Sequence, residues 1–159
     1  MAGWLVKSEP SALSFADLMA RASEPWSGVR NHQARRYLQE MRCGDGVLFY
    51  HSSCPLPAIV GLAEVVAGAY PDPSQFDPAS RYFDPRSTPE APRWWAVDLR
   101  AERPLRRALP LCELRLQPDL AAWPLLRRGN RLSVLPVPAA FWQRVLELEG
   151  LEPPLVQGV

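Results

Sequence analysis

The chain has 159 residues, 47% of them hydrophobic and 22% charged, with a formal net charge of +1. That profile fits one globular domain able to bury a core without disulfide or metal staples, and it excludes intrinsic disorder. It also excludes a polyanion site built from overall charge, so any such site needs local clustering of arginine.

The opening "GWLVK" is a short apolar run that Pro10 stops, as expected of a first buried strand. It ends in Lys7, the only lysine of the chain. "MAGWLVKSEP" has neither a basic start nor a long apolar stretch, so no signal peptide or membrane span is expected, and the protein is placed in the cytoplasm, or in the nucleus of a eukaryote. "SFADLMARA" offers Ser14 as an N-cap with Asp17 three residues later, and Phe15, Leu18, Met19 and Ala22 at helical spacing. Pro25 ends that helix and leads into "EPWSGVRNHQARRYL", where a tryptophan stands just before a glycine turn.

Asn31 is a good N-cap for a second helix with the apolar stripe Ala34, Tyr37, Leu38 and Met41. Arg35, Arg36, Gln39 and Arg42 take its other face, and Gly44 sits where a C′ glycine belongs. "GVLFYHSS" and "AIVGLAEVVAGAY" read as two strands, with Gly61 marking a bulge or a close backbone approach. "PDPSQFDPASRYFDPRSTPEAPR" is a long loop of the kind that carries function more often than not. "WWAVDLRAERPL" is a strand ending in the basic "RPLRR", with Trp94 and Trp95 on opposite faces. One helical turn at "LPLCELR", a last short strand at "LSVLPV" and a helix in "PAAFWQRVLELEG" complete a domain over 1–150, followed by a tail over 151–159. The expected class is α+β: a small mixed β-barrel of about five or six strands with interspersed helices. The sequence has no GxGxxG and no regular strand–helix alternation, which argues against a doubly wound sheet.

Several side chains have two readings each. Trp26 is either core filler or, displayed by the turn between Pro25 and Gly28, a face on which a base can stack. Asn31 can cap its helix through its carbonyl oxygen and still offer its NH₂ group to a ligand. Arg30, at a helix N-terminus, suits a phosphate or is simply solvated. Arg35, Arg36 and Arg42 form a solvated face or a phosphate track, which Arg106, Arg107, Arg127 and Arg128 extend into a rim only if the fold gathers them. Lys7 and Ser8 are either a strand end or a pocket floor. His51 and Ser52 end an apolar strand, where a barrel mouth can expose them, and Trp94 is a second aromatic wall or a packing platform for the long loop. The cysteines Cys43, Cys54 and Cys112 are scattered without a CxxC pair, which points to free thiols in a reducing compartment and to no metal site.

In order, "WLVKSEP", "WSGVRNHQARRYL", "GVLFYHSS", "IVGLAEVV", "AYPDPSQFDP", "PRWWAVDL" and "RLSVLPV" resemble the blocks of EVE domains, from about Trp4 to about Glu149. The resemblance implies a PUA-like β-barrel, distantly similar to YTH and ASCH domains, that reads modified nucleobases without catalysis. It implies base contacts from Lys7, Ser8, Trp26, Val29, Arg30, Asn31, His51, Ser52 and Trp94, with Trp26 as the stacking wall, and phosphate contacts from Arg35 and Arg36. One position departs: where the family often has Asn after "YHS", this chain has Ser53, so no contact is assigned to that side chain. The expected partner is nucleic acid carrying a modified base, DNA before RNA and a 5-substituted cytosine before other bases. The protein is expected to act as a monomer, with no membrane, metal or cofactor. The alternatives are an RNA-binding or protein-interaction module, or a small hydrolase using His51.

Overall fold

Alternation along the strands decides the architecture. In β1 (Gly3–Ser8) and β3 (Gly46–His51) successive side chains point to opposite faces. Trp4, Val6, Val47 and Phe49 therefore enter one core, and Leu5, Leu48 and Tyr50 enter another. A sheet that is apolar on both faces needs cover on both. In the computed structural model, which describes residues 1–154, α1 (Phe15–Met19) and α2 (His32–Glu40) cover the first face. The second face is covered by α3 (Leu111–Leu114) and α4 (Ala139–Glu149).

The other strands are β2 (Glu24–Trp26), β4 (Ala58–Pro71), β5 (Trp95–Pro110) and β6 (Val134–Val137). The sheet order is β2-β5-β4-β3-β1-β6, with β1 parallel to β3 and every other pair antiparallel. The α+β class and the six strands are as expected, but the sheet is open rather than a closed barrel. Its two outer strands are short, and each carries a proline, Pro25 or Pro136, that has no N–H to offer a further partner. Register shifts along β4 and β5 bend the long central strands, and one falls between Ile59 and Gly61. Gly61 is also a close approach: a Cβ there would lie 2.4 Å from the Phe15 ring.

Local signals hold where they are local. Ser14 and Asp17 form a complete capping box on α1, and Asn31 caps α2. The expected end of α2 is corrected: Met41 leaves the helix in an extended conformation (ψ 137°), and Gly44 belongs to the turn beyond. Buried Asp45 organises that turn by accepting from the Arg42 N–H, the Ala2 N–H and Trp4 Nε1. "RPLRR" does not end a strand, because β5 runs through it to Pro110. Short 3₁₀ turns at Pro118–Leu120 and Pro124–Leu126 were not foreseen. Of the expected tail, Leu151–Pro154 have neither helix nor strand, and 155–159 lie outside the described residues. No helix among the described residues is long and apolar enough to cross a membrane.

Candidate functional site

The end of β1 and the segment from β2 to the start of α2 converge at one edge of the sheet. Lys7, Ser8 and Glu9 from the first, and Glu24 to Asn31 from the second, line a cavity of about 630 Å³ with Ala12, Leu13, Arg81, Tyr82 and Ser133. Six residues expected at the site are thereby brought together: Lys7, Ser8, Trp26, Val29, Arg30 and Asn31.

Trp26 is less freely displayed than its turn suggests. Pairing with Val97 across β2 and β5 seats it in the first core at 8% exposure, edge-on to Phe49 with centroids 5.7 Å apart. Its remaining surface borders the cavity. Val29 is buried in the same core. Between them Gly28 has φ +79°, and a Cβ there would meet the Tyr82 ring at 2.7 Å, so the turn and the long loop pack against each other only through glycine.

Arg30 fastens that contact. Its guanidinium makes five hydrogen bonds: Nε and Nη2 donate to the Tyr82 carbonyl, Nη1 to the Val29 carbonyl and to Asp72, and Nη2 to Ser74 Oγ. All five donors of an arginine are thus spent internally, which leaves Arg30 none for the base contact that the resemblance implies, nor for a phosphate. Asp72 is fully buried and also accepts from the Gly28 N–H and from Ser74. Burial pushes its carboxyl up, but the bonds from Ser74, Gly28 and Arg30 outweigh that and hold it below its ordinary value. Deeper in the loop, the Gln75 amide donates to the carbonyls of Asp72 and Trp94 and accepts from the N–H groups of Arg93 and Trp94. The proline-rich loop is therefore locked, and it presents Tyr82 as a second aromatic lining residue. Sequence reasoning missed Tyr82; the only signal was "RYF", two adjacent aromatics in the proline-rich loop.

The cavity also holds hydrogen-bonding groups with spare capacity. Lys7 is half-buried, with Nζ 3.4 Å from the Asn130 carbonyl and no carboxylate in ion-pair range among the described residues. Burial draws its ammonium below the usual lysine range. Ser8 Oγ donates to the Leu13 carbonyl at 2.6 Å and keeps its lone pairs free to accept. Asn31 Oδ1 accepts from the N–H groups of Gln33 and Ala34, while Nδ2 has no partner among the described residues. Glu9 supplies an exposed carboxylate, and Glu24 pairs with Arg21 at 2.7 Å.

Five expected residues lie outside this lining. His51 Nε2 accepts from the Phe15 N–H at 3.1 Å, anchoring the start of α1, so the ring proton sits on Nδ1. Burial lowers its pKa and keeps it neutral. It bonds neither Cys54 nor a serine among the described residues, which leaves the hydrolase reading without a dyad. The Ser52 N–H continues the β1–β3 ladder to the Ser8 carbonyl. Trp94 is 6% exposed, donates from Nε1 to Asp84 at 2.7 Å, and lies against His32, Arg30 and Arg35. It is the packing platform for the loop and the start of α2, not a cavity wall. Arg35 donates to the Arg93 carbonyl at 2.8 Å and Arg36 is exposed; both border a separate surface depression with His32, Gln33 and Gln39. Among the described residues no three His, Cys, Asp or Glu side chains gather as metal ligands.

The family model described as EVE domain matches residues 2–148. Thymocyte nuclear protein 1 of Danio rerio is 39% identical over 168 residues, which cover 94% of this chain and 73% of that one. A crystal structure of a protein from Pseudomonas syringae is 44% identical, with a TM-score of 0.89 over 93% of this chain and 99% of that one. The structure of the human THYN1 protein in complex with 5-methylcytosine containing DNA is 35% identical, with a TM-score of 0.85 over 96% of this chain and 100% of that one. A YTH domain of Zygosaccharomyces rouxii MRB1 protein, in complex with N6-methyladenosine RNA, is 16% identical with a TM-score of 0.53, a likeness of fold alone.

Proposed function

The chain belongs to the EVE domain family, and we propose that it is a non-enzymatic reader of modified nucleobases in nucleic acid, taking a base extruded from DNA into the cavity between Trp26 and Tyr82. The observation that carries this reading is one cavity in which two aromatic side chains meet polar groups that have spare hydrogen-bonding capacity. Its volume of about 630 Å³ lies in the ordinary range for small-ligand sites. Extruding a base costs a few kcal/mol, and stacking returns about 1–3 kcal/mol per base. The edge contacts decide which base. A carboxylate such as Glu9 suits the exocyclic amine of cytosine, while Lys7 and Asn31 Nδ2 suit its ring acceptors. The human relative solved with 5-methylcytosine containing DNA supports the choice of DNA and of cytosine. The acting unit is the domain over 1–150 as a monomer without cofactor. Its place is the cytoplasm or, as the name of the eukaryotic relatives suggests, the nucleus of a eukaryote.

Burying one methyl contributes about 0.8 kcal/mol, and a hydrogen-bonded hydroxymethyl adds about 0.5–1.5 kcal/mol. An oligonucleotide with cytosine substituted at carbon 5 is therefore expected to bind roughly threefold to fiftyfold better than its plain twin. A panel of short DNA and RNA strands, each carrying one modified base, tests this by fluorescence anisotropy. Asn31→Asp keeps the helix cap and removes the NH₂ group, so it shrinks the modified-to-plain ratio more than it weakens the plain strand. Equal affinity for modified and plain strands across the panel ends this reading.

A further inference from the structure

The fold separates the arginines that the sequence leaves open as one rim. Arg107 is held by buried Glu113 at 2.7 and 2.6 Å and by the Leu148 and Leu151 carbonyls, and its neighbour Arg103 by buried Glu149. Those two guanidiniums are thereby paired with carboxylates, whereas Arg106 between them is exposed and has no carboxylate partner among the described residues. Arg127, Arg128 and Arg131 are likewise unpaired: all three are exposed, and none has a carboxylate in ion-pair range or a side-chain hydrogen bond among the described residues. They border a depression of about 430 Å³ together with Gln33 and Tyr37 of α2.

This loop has a fixed shape. Asn130 Nδ2 donates to the Pro124 carbonyl at 2.6 Å, and Asn130 Oδ1 accepts from the Leu132 N–H at 2.8 Å. The turn is closed by the Asn130 N–H to the Arg127 carbonyl. The amide of the one uncharged polar residue in the loop is thereby committed inward, and the guanidiniums are left to solvent. The loop is also continuous with the base cavity on two sides. Lys7 in the cavity contacts the Asn130 carbonyl, and Asn31 in the cavity lies two residues before Gln33 in the depression.

We propose that the loop from Arg127 to Arg131 is a phosphate rail that receives the backbone nucleotides flanking the captured base. The proposal rests on the reading of the cavity as a nucleobase site. Planar guanidiniums match phosphate oxygens in pairs, and three of them on a rigid loop next to a base cavity fit a polyanion that passes over both. The rail adds to the phosphate contacts expected of Arg36, which is likewise exposed, while Arg35 commits one N–H to the Arg93 carbonyl. Backbone contacts fix position and carry little sequence information, so the rail adds affinity without selecting the modification.

The test uses the full chain and a short DNA with one 5-methylcytosine beside its plain twin, titrated between about 50 and 300 mM salt. Each neutralised phosphate adds roughly 0.7–0.9 to the salt slope. R127A/R128A/R131A is therefore expected to lower the slope by roughly 2–3 and to weaken modified and plain strands equally, leaving their ratio and the melting temperature unchanged. The single variants lower it by roughly 0.7–0.9 each, and the triple lysine variant keeps it, because counterion release counts charge. A slope unchanged in the triple alanine variant overturns the rail even where the modification ratio is intact. A wild-type ratio of one with a flattened slope in the variant keeps the rail and ends the base reading instead. Loss of binding to a polyglutamate peptide, with oligonucleotide binding untouched, overturns it in favour of a protein-docking surface.

Discussion

Replacing Arg30 by methionine keeps the length of the stem and removes the fork that ties the Trp26–Asn31 turn to the long loop. The pair it breaks is one-sided in burial: the arginine side chain is 22% exposed and Asp72 is 0% exposed. Removing one partner of a buried pair costs about 3–5 kcal/mol. Asp72 keeps its bonds from Gly28 and Ser74, which places Arg30→Met near the lower end, about 3 kcal/mol. For a chain of this size 1 kcal/mol moves the melting temperature by about 2–4 °C, so a drop of about 6–12 °C is expected by calorimetry. The Tyr82 carbonyl also loses its two donors, and with them the ring loses its fixed position. If that ring stacks a base, the stacking contact of about 1–3 kcal/mol corresponds to a roughly 5- to 150-fold loss of affinity. The salt slope of binding should not move, because Arg30 touches no phosphate. A variant that melts like the wild type and shows a slope lower by roughly 0.7–0.9 would mean that Arg30 contacts the backbone directly, and the clamp would be wrong.

Trp26→Ala should cost about 3–5 kcal/mol in a urea titration as well as weakening binding, since the indole belongs to the core, while Trp26→Phe retains most of the stability; wild-type stability in the alanine variant refutes the core assignment. Burial depresses the folded pKa of His51, so the unfolded chain takes up the proton first: the stability this group contributes is complete above about pH 6.5 and is lost as pH falls below it. Denaturation midpoints between pH 7 and 5.5 should therefore decline in the wild type and flatten in His51→Gln, and an equal slope in both removes His51 from the account. Ser53 holds φ +52°, the only non-glycine residue among those described with positive φ, and asparagine tolerates that region better than serine. Ser53→Asn should stabilise by roughly 0.5–1 kcal/mol, read as a small rise in melting temperature, and a fall would mean that the backbone there relaxes without help.

What could be read in advance was what short segments decide for themselves. Caps at Ser14 and Asn31, the helical stripe of α2, and the alternation of β1 and β3 depend on neighbours in sequence, and they stand in the structure as expected. β2 is three residues long and contains Pro25, so only its pairing with Asp98 and its neighbours makes it a strand. The far half of β5 was hidden for a similar reason, because Pro104 is accommodated opposite Gly61 at a register shift. The site divides along the same line. Lys7, Ser8 and the run from Trp26 to Asn31 lie in two compact segments that reach the cavity together. His51, Trp94 and Arg35 were drawn elsewhere by the Phe15 N–H, Asp84 and the Arg93 carbonyl, partners that no spacing rule points to. Tyr82 depends on the conformation of a loop that Arg30, Asp72 and Gln75 impose from a distance.

The single lysine gives the protein an unusual chemical simplicity. No other residue of the chain carries an ε-amine, and the one that does stands half-buried in the cavity wall, shifted toward its nucleophilic neutral form. An amine-selective acylating reagent therefore has one side-chain target besides the α-amine of Met1, and the yield at Lys7 can be read from the mass of its own peptide after digestion. Anything that fills the cavity shields that amine, so the labelling rate becomes a direct gauge of occupancy for ligands too weak or too small to follow by other means.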